Sequence, residues 1–213
     1  MTRRVLALGD SYTIGEGVAA NERWPMQLVA ALRASGTPVD EPTILARTGW
    51  TTTELLGAIE AAGKSLGGGF DLVTLLIGVN DQYRSHGVAV FASGFQSVLE
   101  RAIGFAGGDA RRVIVLSIPD WGVTPFAASG PRDAAAIGKE IDAFNGVARE
   151  AALARGALFV DVTPESRRAA RDSSLLAADG LHPSGKMYGT WVELIVPVAR
   201  RVISARATQS GCL

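Results

Sequence analysis

The sequence predicts an α/β protein in which helices cover both faces of a parallel five-stranded sheet, a three-layer α/β/α sandwich. Two observations support this fold class. Short apolar segments alternate with longer helical ones, which is the order that builds a parallel sheet through right-handed crossovers. In addition, residues 72–77 and 113–118 are almost continuously apolar, as strands buried on both faces are.

Five segments are predicted to be strands: residues 5–8, 43–46, 72–77, 113–118 and 158–160. The predicted helices cover residues 24–34, 53–66, 88–105, 133–155 and 184–203. In the first two helices, apolar residues recur at spacings of three and four. Thr52 or Thr53 is predicted to cap the second helix.

Length and composition suit one domain spanning residues 1–213, with the last few residues as a flexible tail. The chain has 21 basic and 21 acidic residues, so it offers no strongly basic surface for nucleic acid. Its single cysteine, Cys212, excludes an internal disulfide and a thiol-rich metal site. We therefore expect no metal and no other cofactor.

Targeting signals are not evident in the sequence. The apolar run at residues 5–8 is too short for a signal peptide, and no run approaches the length of a membrane span. We expect a cytoplasmic protein without stable membrane insertion, or a secreted one if a leader has been removed.

The longest irregular stretch covers residues 119–131, after the fourth predicted strand. Long loops are often functional, and Trp121 and Phe126 either wall an apolar pocket there or cover the helices below. The glycines at 67–69 and 107–108 are predicted to form turns, because neither group has the spacing or the position of a phosphate-binding loop.

Polar or small residues follow the ends of three predicted strands. Ser11 follows the first strand, Gly49 the second and Asn80 the third. The carboxyl ends of parallel strands meet at one edge of the sheet, where ligands bind, so a hydroxyl, a backbone N–H and an amide are expected on one rim. Taken singly, each residue is also an ordinary turn former.

Asp179 and His182 are three residues apart, ahead of the last predicted helix. In a turn, the carboxylate can accept a hydrogen bond from Nδ1–H and leave Nε2 free to take a proton. The same stretch is equally consistent with a helix entry capped by Ser184. His86 is predicted to be solvated, with no carboxylate beside it.

These residues combine into one chemistry. A serine hydroxyl needs an adjacent base to act as a nucleophile; His182 is the candidate base for Ser11, and Asp179 would orient it. The N–H groups of Ser11 and Gly49 and the side chain of Asn80 are candidate donors to an oxyanion.

The sequence resembles the SGNH (GDSL) hydrolase family, whose four blocks carry Ser, Gly, Asn and His. The matching residues are Gly9-Asp10-Ser11, Gly49, Gly78-Val79-Asn80-Asp81 and Asp179-Gly180-Leu181-His182-Pro183, in order from residue 9 to 183. The resemblance implies a flavodoxin-like fold, a Ser-His-Asp triad and esterase activity without a metal. Tyr12 and Thr13 depart from the commonest form of the first block.

The leading hypothesis is a serine hydrolase that cleaves small-molecule esters of short to medium acyl groups through an acyl-enzyme. A carbohydrate deacetylase, a lysophospholipase or a thioesterase with the same mechanism remains an alternative, as does a flavodoxin-like module that only binds a ligand. Tyr12, Trp50, Tyr83 and Trp121 are predicted to line the substrate pocket. The oligomeric state is left open.

Overall fold

A parallel sheet in the order β2-β1-β3-β4-β5 forms the centre of the molecule. The computed structural model describes residues 2–209, so Cys212 and the predicted tail beyond residue 209 lie outside the described residues. The strands are β1 Val5–Gly9, β2 Thr43–Ala46, β3 Leu72–Leu76, β4 Val113–Leu116 and β5 Leu158–Val160. This order is that of flavodoxin-like sheets, and it confirms the predicted fold class.

Helices connect the strands and follow the last of them. They are α1 Ser11–Ile14, α2 Trp24–Ala34, α3 Thr52–Ala62, α4 Val79–Tyr83, α5 Val88–Phe105, α6 Pro125–Ala128, α7 Ala134–Ala154, α8 Thr163–Arg167 and α9 Gly185–Gln209. The bounds of α2 and α5 agree with the prediction. The short helices α1, α4, α6 and α8 were not predicted, because four or five residues are too few to show a helical period.

The helices form two layers, one on each face of the sheet. Helices α2 and α9 pack together on one face, while α3 and α7 both pack against α5 on the other. Between α5 and α7, the rings of Phe91 and Phe144 stack with their centroids 4.6 Å apart. Strands β3 and β4 are fully buried between the layers, as their apolar sequences predicted.

Helix α3 differs from its prediction at both ends. Thr51 is the cap: its side chain accepts a hydrogen bond from the backbone N–H of Glu54, whose own carboxylate accepts from Thr51 N. This reciprocal capping box outcompetes Thr52 and Thr53. The helix ends at Gly63, whose φ of 49° breaks it, and a 3-10 turn completes the predicted span.

The neighbouring strands β1 and β3 define the point where the site forms. After β1 the chain leads to α2 on one face, and after β3 it leads to α5 on the other, so the two connections diverge. Such a switch point leaves a crevice at the carboxyl edge of the sheet. The short helices α1 and α4 begin there.

Candidate active site

Ser11 is the first residue of α1, directly beyond β1, and it is 5% exposed. The turn that carries it requires a glycine at position 9, since a Cβ there would lie 2.1 Å from Thr13 Oγ1 and 2.4 Å from the Leu76 carbonyl oxygen. The close approach of α1 to β3 therefore fixes where the Ser11 side chain emerges.

Asp10 caps the helix that begins with Ser11. Its Oδ1 accepts a hydrogen bond of 3.0 Å from the Tyr12 N–H, and its Oδ2 has no hydrogen-bond partner among residues 2–209. Burial raises the pKa of the Asp10 carboxyl to about 8, opposed by the Tyr12 hydrogen bond and assisted by the charge of Asp81. Burial therefore favours the neutral form of the carboxyl next to Ser11.

Gly49 occupies a tight turn in which Trp50 N donates to the Arg47 carbonyl. Its φ of +84° is the left-handed conformation that favours glycine. Its carbonyl accepts a hydrogen bond of 2.6 Å from Arg84. The Gly49–Trp50 peptide is thus held at both its oxygen and its N–H, whereas the Gly49 N–H belongs to the preceding peptide.

Asn80 lies in α4, and its Nδ2 donates to the Trp50 carbonyl at 2.9 Å. An amide nitrogen carries two hydrogens, so this bond orients the group and leaves one donor for a ligand. The neighbouring carboxylate of Asp81 is buried and accepts from Thr52 N at 2.9 Å and from Thr52 Oγ1 at 2.7 Å. The contacts of Asn80 and of Asp81 therefore join the segment after β2 to the segment after β3.

Asp179 and His182 form a side-chain pair. His182 Nδ1 lies 2.6 Å from Asp179 Oδ2, while Asp179 Oδ1 accepts from the N–H groups of Leu181 and His182, each at 2.9 Å. Burial raises the pKa of the Asp179 carboxyl, but these three hydrogen bonds outweigh it, so the pKa lies below its usual range.

The helix-entry interpretation of the same segment also holds. Ser184 Oγ accepts from Met187 N at 3.3 Å, at the start of α9. The turn and the imidazole–carboxylate pair are therefore parts of one structure. The rings of Tyr12 and His182 pack in an edge-to-face arrangement, with centroids 5.6 Å apart.

A cavity of about 200 Å³ brings the predicted residues together at the switch point. Its lining includes most of the residues predicted for the site, namely Ser11, Tyr12, Gly49, Asn80, Tyr83, Trp121 and His182, together with Thr48, Val79, Phe126 and Leu181. Asp179 is not in the lining and meets the site through His182. Trp50 is not in the lining either. Its side chain packs against the core, and its carbonyl holds Asn80.

Some of these neighbours could not be predicted from the sequence. Thr48, Val79 and Leu181 line the cavity because they flank the motif residues. His86 is 39% exposed, as predicted for a solvated side chain, but its Nδ1 lies 3.6 Å from Asp81 Oδ1, so a carboxylate does accompany it. That contact depends on the α4 turn, which was not predicted.

A larger depression of about 860 Å³ lies at the other edge of the sheet, between the ends of α3 and α5. Its lining includes Glu60, Gly68 and Arg101 but no histidine or serine. The smaller cavity, which gathers the serine, the amide and the oriented imidazole, is the candidate site.

Fold and cavity together define a class of protein: hydrolases that carry a serine, an amide and an imidazole–carboxylate pair at the carboxyl edge of a flavodoxin-like sheet. The sequence model of the GDSL-like lipase/acylhydrolase family matches residues 7–189. The chain belongs to this family and is a carboxylic ester hydrolase. Among curated proteins, no sequence matches the chain significantly.

Solved structures share the fold at low sequence identity. TesA is 20% identical with a TM-score of 0.71, covering 94% of this chain and 99% of its own. The psychrotrophic esterase EstA from Pseudoalteromonas sp. is 16% identical with a TM-score of 0.70, covering 95% and 99%. The acetylxylan esterase Axe2 from Geobacillus stearothermophilus is 18% identical with a TM-score of 0.66, covering 94% of each chain.

Residues 2–209 contain no group of three or more His, Cys, Asp or Glu side chains placed to hold a metal ion. Within the same range, none of the helices has the length and apolarity needed to cross a bilayer.

Proposed function

We propose that the enzyme cleaves esters of short to medium acyl groups through an acyl-enzyme on Ser11. His182 acts as the base, Asp179 orients it, and the N–H groups of Ser11 and Gly49 with the Asn80 side chain bind the oxyanion. The observation that carries the proposal is the 2.6 Å contact of His182 Nδ1 with Asp179, in a histidine that lines the same cavity as Ser11 and Asn80.

The proposed reaction has two halves. In the first, Nε2 of His182 takes the Ser11 proton as Oγ attacks the ester carbonyl, and the charge that develops on the carbonyl oxygen is stabilised by preorganised donors. The intermediate collapses, His182 returns the proton to the leaving alcohol, and the acyl group stays on Ser11. Water then repeats these steps and releases the acid.

The cavity supports a small acyl group. Its volume of about 200 Å³ is below the roughly 300–1,000 Å³ of sites that take drug-sized ligands. A sugar acetate is the second candidate substrate, because an acetyl group is the smallest acyl group that the cavity would hold and a fold neighbour is an acetylxylan esterase.

A panel of p-nitrophenyl esters from acetate to palmitate, run beside acetylated sugars, tests the proposed substrate class. We expect kcat/KM to be highest among the short and medium esters and to fall towards palmitate. Each buried methylene contributes about 0.8 kcal/mol only where an apolar groove receives it. A maximum at palmitate would contradict the proposal and would require a groove beyond Trp121 and Phe126.

Replacing Asn80 with alanine should lower kcat by roughly a hundredfold to a thousandfold, or about 3–4 kcal/mol, with little change in KM. An oxyanion donor acts mainly in the transition state. Steady-state kinetics of Asn80→Ala measure this split, with the exposed Asn21→Ala as the matched control. A change confined to KM would mean that Asn80 only binds the substrate.

We expect kcat/KM to fall on the acid side through a single ionisation, because the mechanism needs a neutral imidazole. The pKa of Asp179 is held below its usual range, so its carboxylate stays ionised and adds no second ionisation to the acid side of the profile. The pKa of Asp10 is raised to about 8, so the Asp10 carboxyl ionises on the alkaline side of the pH profile.

A pH profile of Asp10→Asn beside the wild type checks this assignment, since asparagine caps a helix as well as aspartate does. The acid side should be unchanged in the variant.

Activity should also survive dialysis against a chelator. Loss of activity that a divalent ion restores would contradict the serine mechanism.

A further inference from the structure

Three aromatic side chains line the cavity together: Tyr83, Trp121 and Phe126. The ring centroid of Trp121 lies 5.4 Å from that of Tyr83 and 6.1 Å from that of Phe126. Tyr83 is 50% exposed and Phe126 40% exposed, while Trp121 is 4% exposed. Exposed aromatic rings beside a concave site are typical of ligand-binding surfaces. Trp121 is the innermost of the three.

The indole of Trp121 is fixed by a hydrogen bond. Its Nε1 donates to Gln82 Oε1 at 2.8 Å, and Gln82 Nε2 donates to Glu140 Oε2 at 2.6 Å. Because both ends of the Gln82 amide are engaged, a flip would place its NH₂ group against the indole N–H. Gln82 is 1% exposed, so it holds one orientation.

Arg132 completes this network from the outer side. Its guanidinium forms an ion pair with Glu140, and Nη1 lies 3.4 Å from the carbonyl oxygens of both Gln82 and Tyr83. Its Cζ also lies 5.7 Å from the centroid of the Trp121 ring. Turning the indole away would break the Gln82 bond and leave a buried donor and acceptor unpaired, which is costly.

We propose that Trp121, held by Gln82 and Glu140, forms the fixed inner end of the acyl pocket and sets the longest acyl group that the enzyme turns over. Trp121 and Gln82 then determine specificity without acting in the chemistry. The inference rests on the proposed function. An acyl chain longer than the pocket must displace the indole, whereas a short acyl group does not reach it.

Two variants test this limit by different routes. Trp121→Leu shortens the side chain that closes the pocket, and Gln82→Met removes the acceptor for the indole at similar side-chain length. The measurement is the ratio of kcat/KM for p-nitrophenyl octanoate to that for the acetate. We expect the ratio to rise roughly tenfold or more in Trp121→Leu, as changes of a few methylenes in a pocket allow, and several-fold in Gln82→Met.

The matched control is Gln96→Met, which makes the same substitution at an exposed position of α5. Its ratio should equal that of the wild type. An unchanged ratio in Trp121→Leu, with acetate hydrolysis retained, would overturn the inference. If circular dichroism shows that Trp121→Leu does not fold, Gln82→Met decides, and an unchanged ratio there has the same meaning.

Failure of the proposed function has a different signature. If the wild-type protein hydrolyses no ester and reacts with no fluorophosphonate, the proposed serine esterase activity is refuted, independently of any limit on acyl length. Calorimetric titration with butanoate and octanoate then measures the pocket without turnover. A gain in octanoate binding by Gln82→Met over the wild type would uphold the length limit, and an unchanged preference would overturn it.

Discussion

Ser11→Ala is expected to reduce ester hydrolysis by between about a thousandfold and a millionfold while leaving the fold intact. The variant removes the only atom that the proposed mechanism bonds to the acyl group, and it leaves the oxyanion donors and the cavity in place. Ser11 lies at the start of α1, where alanine is compatible with a helix. Hydrolysis of p-nitrophenyl acetate, measured beside the circular dichroism spectrum, checks both parts.

The control for Ser11→Ala is Ser97→Ala, at a half-buried position of α5 where the hydroxyl donates only to the Ser93 carbonyl of its own helix. A fluorophosphonate should label the wild type and Ser97→Ala at one site, which peptide mass spectrometry identifies as Ser11, and should not label Ser11→Ala. Near wild-type turnover by Ser11→Ala, or labelling at another serine, would refute the assignment of the nucleophile.

The strands were predictable from the sequence because each is a short apolar run. The central strands β3 and β4 are buried on both faces, so their apolar sequences were enough to place them inside the sheet. The long helices were predictable for a related reason: their apolar spacing persists over several turns, as in α2 and α5. Their ends depend on caps, and the choice of Thr51 over its neighbours rests on the reciprocal bond with Glu54.

The short helices could not be predicted, and they place the site. Residues such as Ser11 and Asn80 were recognisable by type and by position after a strand. That they lie on helical turns is decided by tertiary contacts, such as the approach of Thr13 and Leu76 to Gly9. Propensity is a weak guide over four or five residues.

The walls of the cavity could likewise be predicted only in part from the sequence. Tyr83 and Trp121 were predicted at the rim, but the network that fixes Trp121 joins Gln82, Arg132 and Glu140 from three separate segments. No local pattern connects these positions. Trp50 was predicted in the pocket from its place beside Gly49, yet its ring turns to the core, and only its carbonyl serves the site, through Asn80.

Asp179→Asn is expected to lower kcat by about ten thousandfold, because it enforces the wrong imidazole tautomer. Oδ1 of Asp179 accepts two backbone N–H groups, and an asparagine oxygen can keep that place. The amide NH₂ then faces His182 Nδ1, at the position of Oδ2. Since Nδ2 can only donate, Nδ1 must accept. Nε2 then carries the single hydrogen of the neutral imidazole and has no lone pair left to take the Ser11 proton.

The substitution therefore separates the two interpretations of Asp179. If Asp179 is only a turn residue, Asp179→Asn should keep the two backbone hydrogen bonds and most of the activity. If Asp179 orients His182, the variant should keep the fold, measured by circular dichroism, and lose turnover. Asp172→Asn, at an exposed carboxylate that accepts from Ser174 N and Lys186, is the matched control. Retention of more than roughly a tenth of wild-type kcat by Asp179→Asn would rule out an orienting role of the size seen in serine triads.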